Sequence, residues 1–219
     1  MTDLEIFIQN NQELIDQNTK ESWIEIYDLF ESSDYDDYLA GELSKLLIDI
    51  NADPCHIIGF VPRRFLMGQS DLTTYEIPKN ASYIGMSAFE DTALEEIRIP
   101  ESVRELDFLC FSGTKVKKVF IPDTVHRIAN GVFHSCLNLE EVMIGKVSEL
   151  GEDVFANCEN LTKLIICDSV SQLDSSIVKG CKSLKEIDFL GTIETFEKIR
   201  VGYTESSIKI KCIDGEISW

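Results

Sequence analysis

The sequence predicts an α+β solenoid: a stack of five to six repeats of 22–23 residues, closed by an α-helical cap at the N-terminus and by a β-hairpin cap at the C-terminus. Three observations predict it. Apolar residues recur at a fixed interval through the middle of the chain, each interval contains one alternating, strand-like phrase, and the first 55 residues follow a helical period instead.

The interval is clearest in one apolar column. Ile84, Leu106, Ile128, Leu150, Leu173 and Phe196 are separated by 22, 22, 22, 23 and 23 residues. Five positions later comes an aromatic column, Phe89, Phe111, Phe133 and Phe155, continued by Val178, and three positions after that a small-residue column of Thr92, Thr114, Cys136, Cys158 and Cys181. A strand-like phrase follows, with Leu94, Ile97 and Ile99 in one unit and Leu139, Val142 and Ile144 in another. Val103, Val125, Val147, Val170 and Ile193 close the units. A weaker unit precedes them, placing Val61, Leu66, Gln69, Leu72, Tyr75, Ile77, Pro78 and Ala81 in the corresponding slots. A unit this small cannot bury its apolar face alone, so stacking neighbours into one continuous core is the physical reason for the period.

These columns resemble the BspA-like, or treponemal-type, leucine-rich repeat family. The run from Ile84 through Ala88 and Phe89 to Leu94, Ile97, Ile99 and Pro100 matches its pattern closely, and the resemblance extends over about residues 57–199. Departures are Thr for Cys in the first two full units, one residue fewer before Leu94 and Val116, and loss of Pro from the last three phrases. Gly191, Thr192, Phe196, Ile199 and the segment from Ile208 to Ile217 resemble the closing segment of gut-bacterial members. Within it Asp214-Gly215 is a tight-turn dipeptide between alternating apolar residues, which predicts a short hairpin.

In the N-terminal segment Leu4, Phe7, Ile8 and Ile15, then Trp23, Ile26, Tyr27 and Phe30, then Leu39, Leu43, Leu46, Leu47 and Ile50 fall at helical spacing. Three amphipathic helices fit, with Ser32 or Ser33 capping the third and Asp53-Pro54 ending it. The expected organisation is residues 1–55 as an acidic helical cap or small module, 56–195 as the solenoid and 196–219 as the C-terminal cap.

Charge narrows the choice of partners. The chain carries 39 acids and 20 bases, a net of −19, so direct binding to nucleic acid or to an anionic membrane is disfavoured by repulsion. Residues 1–60 hold 14 acids against Lys20 and Lys45 alone, a net of −12. A neutral or basic protein is the expected partner. The N-terminus shows neither a basic start nor an apolar run, and no Cys-x-x-Cys occurs among the seven cysteines, so a cytoplasmic chain with reduced thiols is the expectation.

Nothing in the sequence has the spacing of a catalytic motif. Cys136, Cys158 and Cys181 occupy one slot in successive units, where Thr also serves, so they read as small packing residues and no metal or cofactor is expected. The run Asp34 to Asp37 lacks the Gly and Glu of a calcium loop, since Leu39 and Lys45 stand at those places. His56, His126 and His134 lie outside any nucleophile or zinc motif. A non-enzymatic chain is expected.

The strand phrase alternates, so its outward residues stack into surface columns. The middle column reads Glu76, Arg98, Phe120, Met143, Ile165, Asp188; the following one includes Cys167 and Leu190; the preceding one includes Lys118, Glu141 and Lys163. Phe120, Met143 and Ile165 thus form an apolar strip beside Cys167 and Leu190, rimmed by Arg98, Lys118, Glu141, Lys163 and Asp188. This is the layout of a protein-binding site, self-association into a homo-oligomer included, unless the N-terminal helices fold back over it or the strip merely reflects β-propensity. Two alternatives differ in kind. Carboxylates at Asp28, Glu31, Asp34, Asp36 and Asp37 would let the acidic helices imitate DNA and block a host protein, as a phage-type inhibitor, and the family resemblance implies a bacterial surface adhesin.

Overall fold

The computed structural model describes residues 3–31, 37–49, 54–202 and 208–219. In chain order the described elements begin with five helices: α1 (Asp3–Asn10), α2 (Gln12–Gln17), α3 (Lys20–Glu31), α4 (Asp37–Asp49) and α5 (Cys55–Ile58). The solenoid follows with β1 (Tyr83–Ile84), β2 (Glu105–Leu106), β3 (Lys118–Ile121), β4 (Arg127–Ile128), β5 (Glu141–Ile144), β6 (Glu149–Leu150), β7 (Lys163–Ile166), β8 (Leu173–Asp174) and β9 (Glu186–Phe189). Helix α6 (Ile193–Ile199), β10 (Arg200–Val201), β11 (Lys209–Cys212) and β12 (Gly215–Ser218) close the chain.

Two parallel sheets face each other across the core. The short strands form one in the order β1-β2-β4-β6, with β8 pairing β10 beside it, and the four-residue strands form the other in the order β3-β5-β7-β9-β11, to which β12 adds antiparallel. Stacking repeats of nearly constant length keeps equivalent residues in register, so Val119, Val142, Leu164, Ile187 and Ile210 align inward across five strands. The described ladder of the longer strands starts at β3, and proline supplies the reason. Gly145 donates its N–H to the Ile121 carbonyl at 2.9 Å and Leu190 to that of Ile166 at 2.9 Å, whereas Pro100 and Pro122 have no N–H to give the preceding turn.

Between the sheets runs the aromatic column. Phe89, Phe111, Phe133 and Phe155 are fully buried and stacked nearly parallel, with centroids 5.4, 5.4 and 5.9 Å apart and interplanar angles of 3°, 11° and 10°. In the weaker first unit Leu66 holds the corresponding backbone position, donating to the Ala88 carbonyl, and Phe65 and Tyr75 supply the rings that meet Phe89 edge-on or tilted. The small-residue column is a hydrogen-bonding position as well as a packing one. Cys136, Cys158 and Cys181 donate their S–H to the carbonyls of Phe111, Phe133 and Phe155 of the turn before, at 3.1–3.2 Å, while the hydroxyls of Thr92 and Thr114 donate to Phe89 and Phe111 of their own turn at 2.9 Å.

Each turn also carries left-handed residues, a regularity no side-chain column reveals. Arg64, Ser87, Leu109, Gly131 and Asp153 form one such column, and Gly68, Asp91, Gly113, Ser135, Asn157 and Gly180 another, all with φ between +54° and +75°. At Gly113 the constraint is double, since an added Cβ would lie 2.2 Å from Asp91 Oδ1 of the previous turn.

The helices sit on the first turn. Leu4, Phe7, Ile15, Trp23, Ile26, Leu43, Leu47 and Ile58 make a small core of their own, and Tyr27 and Cys55 join the solenoid core. Gly41 presses against the backbone of Met67, where a Cβ would lie 2.2 Å from its carbonyl oxygen, and Lys45 pairs with Asp71 at 2.7 Å.

Three expectations need correction. The first of the three expected helices is broken into α1 and α2 at Asn11, whose side-chain amide donates to the Phe7 carbonyl at 2.8 Å; α3 then starts from a reciprocal cap in which Thr19 and Ser22 accept each other's N–H. Ser32, Ser33 and Asp53 lie outside the described residues. The hairpin turns at Ile213-Asp214, one residue before the Asp-Gly dipeptide, because Gly215 pairs with Cys212 and the Asp214 carboxylate is drawn to the N–H of Ile193. Finally, Phe196 does not continue the short-strand column. It lies in α6, which Thr192 caps, and Arg200 takes the place beside Leu173; the Phe196 ring instead closes the core edge-on against Phe189 and Trp219.

Candidate partner-binding surface

The longer-strand sheet brings the expected apolar residues together. Phe120, Met143 and Ile165 are Cα partners across β3, β5 and β7, followed by Asp188 on β9 and Lys211 on β11. Phe120 is 53% and Met143 41% exposed, and Ile165 is half-buried. The described N-terminal helices do not fold over them. In the column two residues on, Cys167 is half-buried and Leu190 is 49% exposed.

The apolar surface continues onto the C-terminal hairpin. Ile213 donates to the Gly191 carbonyl at 3.0 Å, which sets it beside Leu190 at the hairpin tip, 72% exposed. The path therefore runs Phe120, Met143, Ile165, then shifts by two positions to Leu190 and Ile213, crossing five strands spaced by about 4.8 Å. Only the hairpin register could have revealed Ile213, because the loop before it breaks the repeat.

Charges flank the path in an alternating column. Glu141 is gripped from both sides, by Lys163 at 2.6 Å and Lys118 at 3.1 Å, and these ammonium groups hold its carboxyl below the usual range while Glu141 holds Lys163 above its own. Glu186 follows, then Lys209, which pairs with Glu216 at 3.1 Å and is likewise raised. Arg98 is exposed at the N-terminal end of the strip and Asp188 is half-buried at the other. Lys118, Lys163, Lys209 and Lys211 face Glu141, Glu186, Asp188 and Glu216, so this face is locally balanced within a chain of net −19.

Three thiols of the core are held in their protonated form. Burial raises Cys110 well above its ordinary pKa and pushes Cys181 up to about 12, while the contact with Cys136, and then burial, raise Cys158. A protonated, buried thiol is neither nucleophile nor ligand. Among the described residues there is no cluster of His, Cys, Asp and Glu that would hold a metal ion, and no helix long and apolar enough to cross a membrane.

The opposite sheet presents a different, polar face. Arg127 pairs with Glu105 and, at 3.5 Å, with Glu149 on the neighbouring short strands, and its guanidinium lies 5.8 Å above the Phe108 ring. Tyr83 donates to Asp107, and burial, then that carboxylate, raise its pKa. Of the acidic helical residues, Asp28 is exposed on α3; the side chains of Glu31 and Asp37, and the whole of Asp34 and Asp36, lie outside the described residues.

A family profile described as the BspA type leucine rich repeat region matches residues 61–185 in six copies. Solved structures similar to the chain include a Treponema pallidum leucine rich repeat protein, 22% identical with a TM-score of 0.46, over 58% of this chain and 61% of that one. Another is a leucine-rich repeat protein from Eubacterium ventriosum, 22% identical with a TM-score of 0.47, over 61% of this chain and 40% of that one. A leucine rich cell surface protein from Faecalibacterium prausnitzii is 18% identical with a TM-score of 0.27, over 71% and 65%. The chain thus spans less than two thirds of the length of each of these three structures. No curated protein matches it.

Proposed function

The chain belongs to the BspA-type leucine-rich repeat family, and from that premise we propose that it is a non-enzymatic interaction domain that binds a protein partner through the longer-strand sheet. One observation carries this reading. A solvated sheet face is ordinarily polar, yet here Phe120, Met143, Leu190 and Ile213 lie exposed along one path with charged residues beside it, the arrangement of an apolar centre inside a polar rim. Where contact extends beyond the locally balanced sheet face, the net charge of −19 favours a neutral or basic partner over an acidic one.

The test replaces the strip without touching the inward residues. A Phe120→Glu, Met143→Glu, Ile165→Glu variant keeps the buried columns, so its circular dichroism and melting should stay close to those of the parent. Proteins captured by the parent from its native host should be lost with the variant. Unchanged capture by a folded variant refutes the reading.

A further inference from the structure

Resting on that reading of the sheet face, we propose that one occupant of the surface is a second copy of this chain, docked face to face about a two-fold axis that runs parallel to the strands between β5 and β7. The support is the sign pattern of the flanking column. Such an axis reverses the strand order and keeps the position along each strand, so each column meets itself in the opposite order. Lys118, Glu141, Lys163 and Glu186 alternate in sign across β3, β5, β7 and β9. Reversed about the gap between β5 and β7, Glu141 faces Lys163 of the second copy and Lys118 faces Glu186, each pair occurring twice. Met143 then meets Ile165, twice, at the centre of the interface, while Phe120 comes over Asp188 at its edge.

Other placements of the axis fail on the same columns. An axis through β7 sets Lys163 over Lys163 and Glu141 over Glu186, which are like charges. An axis between β7 and β9 restores opposite signs but sets Met143 over Lys211 and Ile165 over Asp188. An axis between β3 and β5 sets Ile165 over Arg98 and leaves the regular ladder. The antiparallel arrangement also keeps the two acidic N-terminal segments, each of net −12 over residues 1–60, at opposite ends. Four strands of four residues give an interface at the low end of the size range for specific complexes, so the dimer is weak and reversible.

Sedimentation equilibrium from about 10 µM to about 1 mM brackets affinities of that order. The parent chain should show a reversible dimer. Glu141→Lys and Lys163→Glu, each alone, should weaken it at least tenfold, because each variant sets like charges across the interface twice. An equimolar mixture of the two should recover a mixed dimer, visible by native mass spectrometry. In that dimer the lysine introduced in one copy faces the glutamate introduced in the other, and the unaltered Lys163 of the first copy faces the unaltered Glu141 of the second. A fault within one chain is not repaired by mixing, so this recovery reads the interface alone. A parent monomeric throughout the range, or a mixture without mixed dimer, overturns the proposal. If host-protein capture still depends on Phe120, Met143 and Ile165, the broader reading of the surface stands without self-association; if capture is independent of them, that reading falls separately.

Discussion

Removing one ring from the middle of the aromatic column should cost more than its own burial suggests. Phe133 is fully buried and stacks on both Phe111 and Phe155, and its carbonyl accepts the Cys158 thiol at 3.1 Å. Phe133→Ala leaves a cavity between two turns at a cost of about 3–5 kcal/mol. Domains retain only about 5–15 kcal/mol of net stability, and in a stack the loss falls on one nearest-neighbour interface. With a urea dependence of about 2–3 kcal/mol per molar, the midpoint should fall by roughly 1–2.5 M. The turns before and after Phe133 should begin to unfold separately, seen as two hydrogen-exchange blocks divided near residue 133. Phe133→Leu keeps most of the volume and forfeits the two ring contacts, so it should fall between, at roughly 1–3 kcal/mol. Leu137→Ala, at a site 54% exposed, is the control and should change stability by less than about 0.5 kcal/mol. If Phe133→Ala is no worse than Leu137→Ala, the column does not couple the turns.

The charged column predicts an acid dependence of defined sign. Glu141 titrates below its ordinary value because Lys163, then Lys118, favour its charged form, so its stabilising effect is complete above the unfolded carboxyl's pKa, about 4.3, and is lost as pH falls through the folded value. Glu141→Gln should lower the melting temperature slightly at pH 7 and make no difference near pH 2, as pH-dependent melts would show; an equal loss at both pH values would mean that the charge is not the cause. The thiols predict an order of labelling. Cys167 is half-buried and raised by burial, then by Asp123 and Asp168, so iodoacetamide should modify it slowly in the folded chain at pH 8, while Cys110, Cys158 and Cys181 should react only on unfolding. Peptide mapping that finds Cys158 modified with or before Cys167 would contradict the buried column.

The repeat was legible because stacking imposes translational order: a slot occupied in every turn must look the same in every turn, so the buried columns at Phe89, Phe111, Phe133 and Phe155 or Val103, Val125 and Val147 show in sequence as fixed spacing. What was illegible lacks that repetition. The break at Asn11 depends on one amide reaching one carbonyl, the hairpin tip on the Asp214 carboxylate meeting the N-terminus of α6, and the position of Phe196 on the end of the core needing a lid more than another strand. The left-handed columns repeat in backbone conformation but not in residue type, since Ser, Leu, Asp, Asn, Arg and Gly all occupy them, and so leave no pattern to count.

The same distinction separates the fold from the candidate site. A core column is constrained by its neighbours on both sides, which is why only Thr, in two turns, and Cys, in the next three, fill one slot, each bonding a Phe carbonyl. An outward column is not so constrained, and when it departs from solubility the departure needs another cause. Glu76 and Arg98 show that the outward middle position accepts charge in the first turns, and Asp188 and Lys211 that it does so again in the last. On the ladder itself the apolar Phe120, Met143 and Ile165 of β3, β5 and β7 give way, in the same register, to Asp188 and Lys211 on β9 and β11. β-Propensity acts alike on every strand of the sheet and therefore does not select three consecutive turns, whereas the proposed binding surface, being of limited width, would.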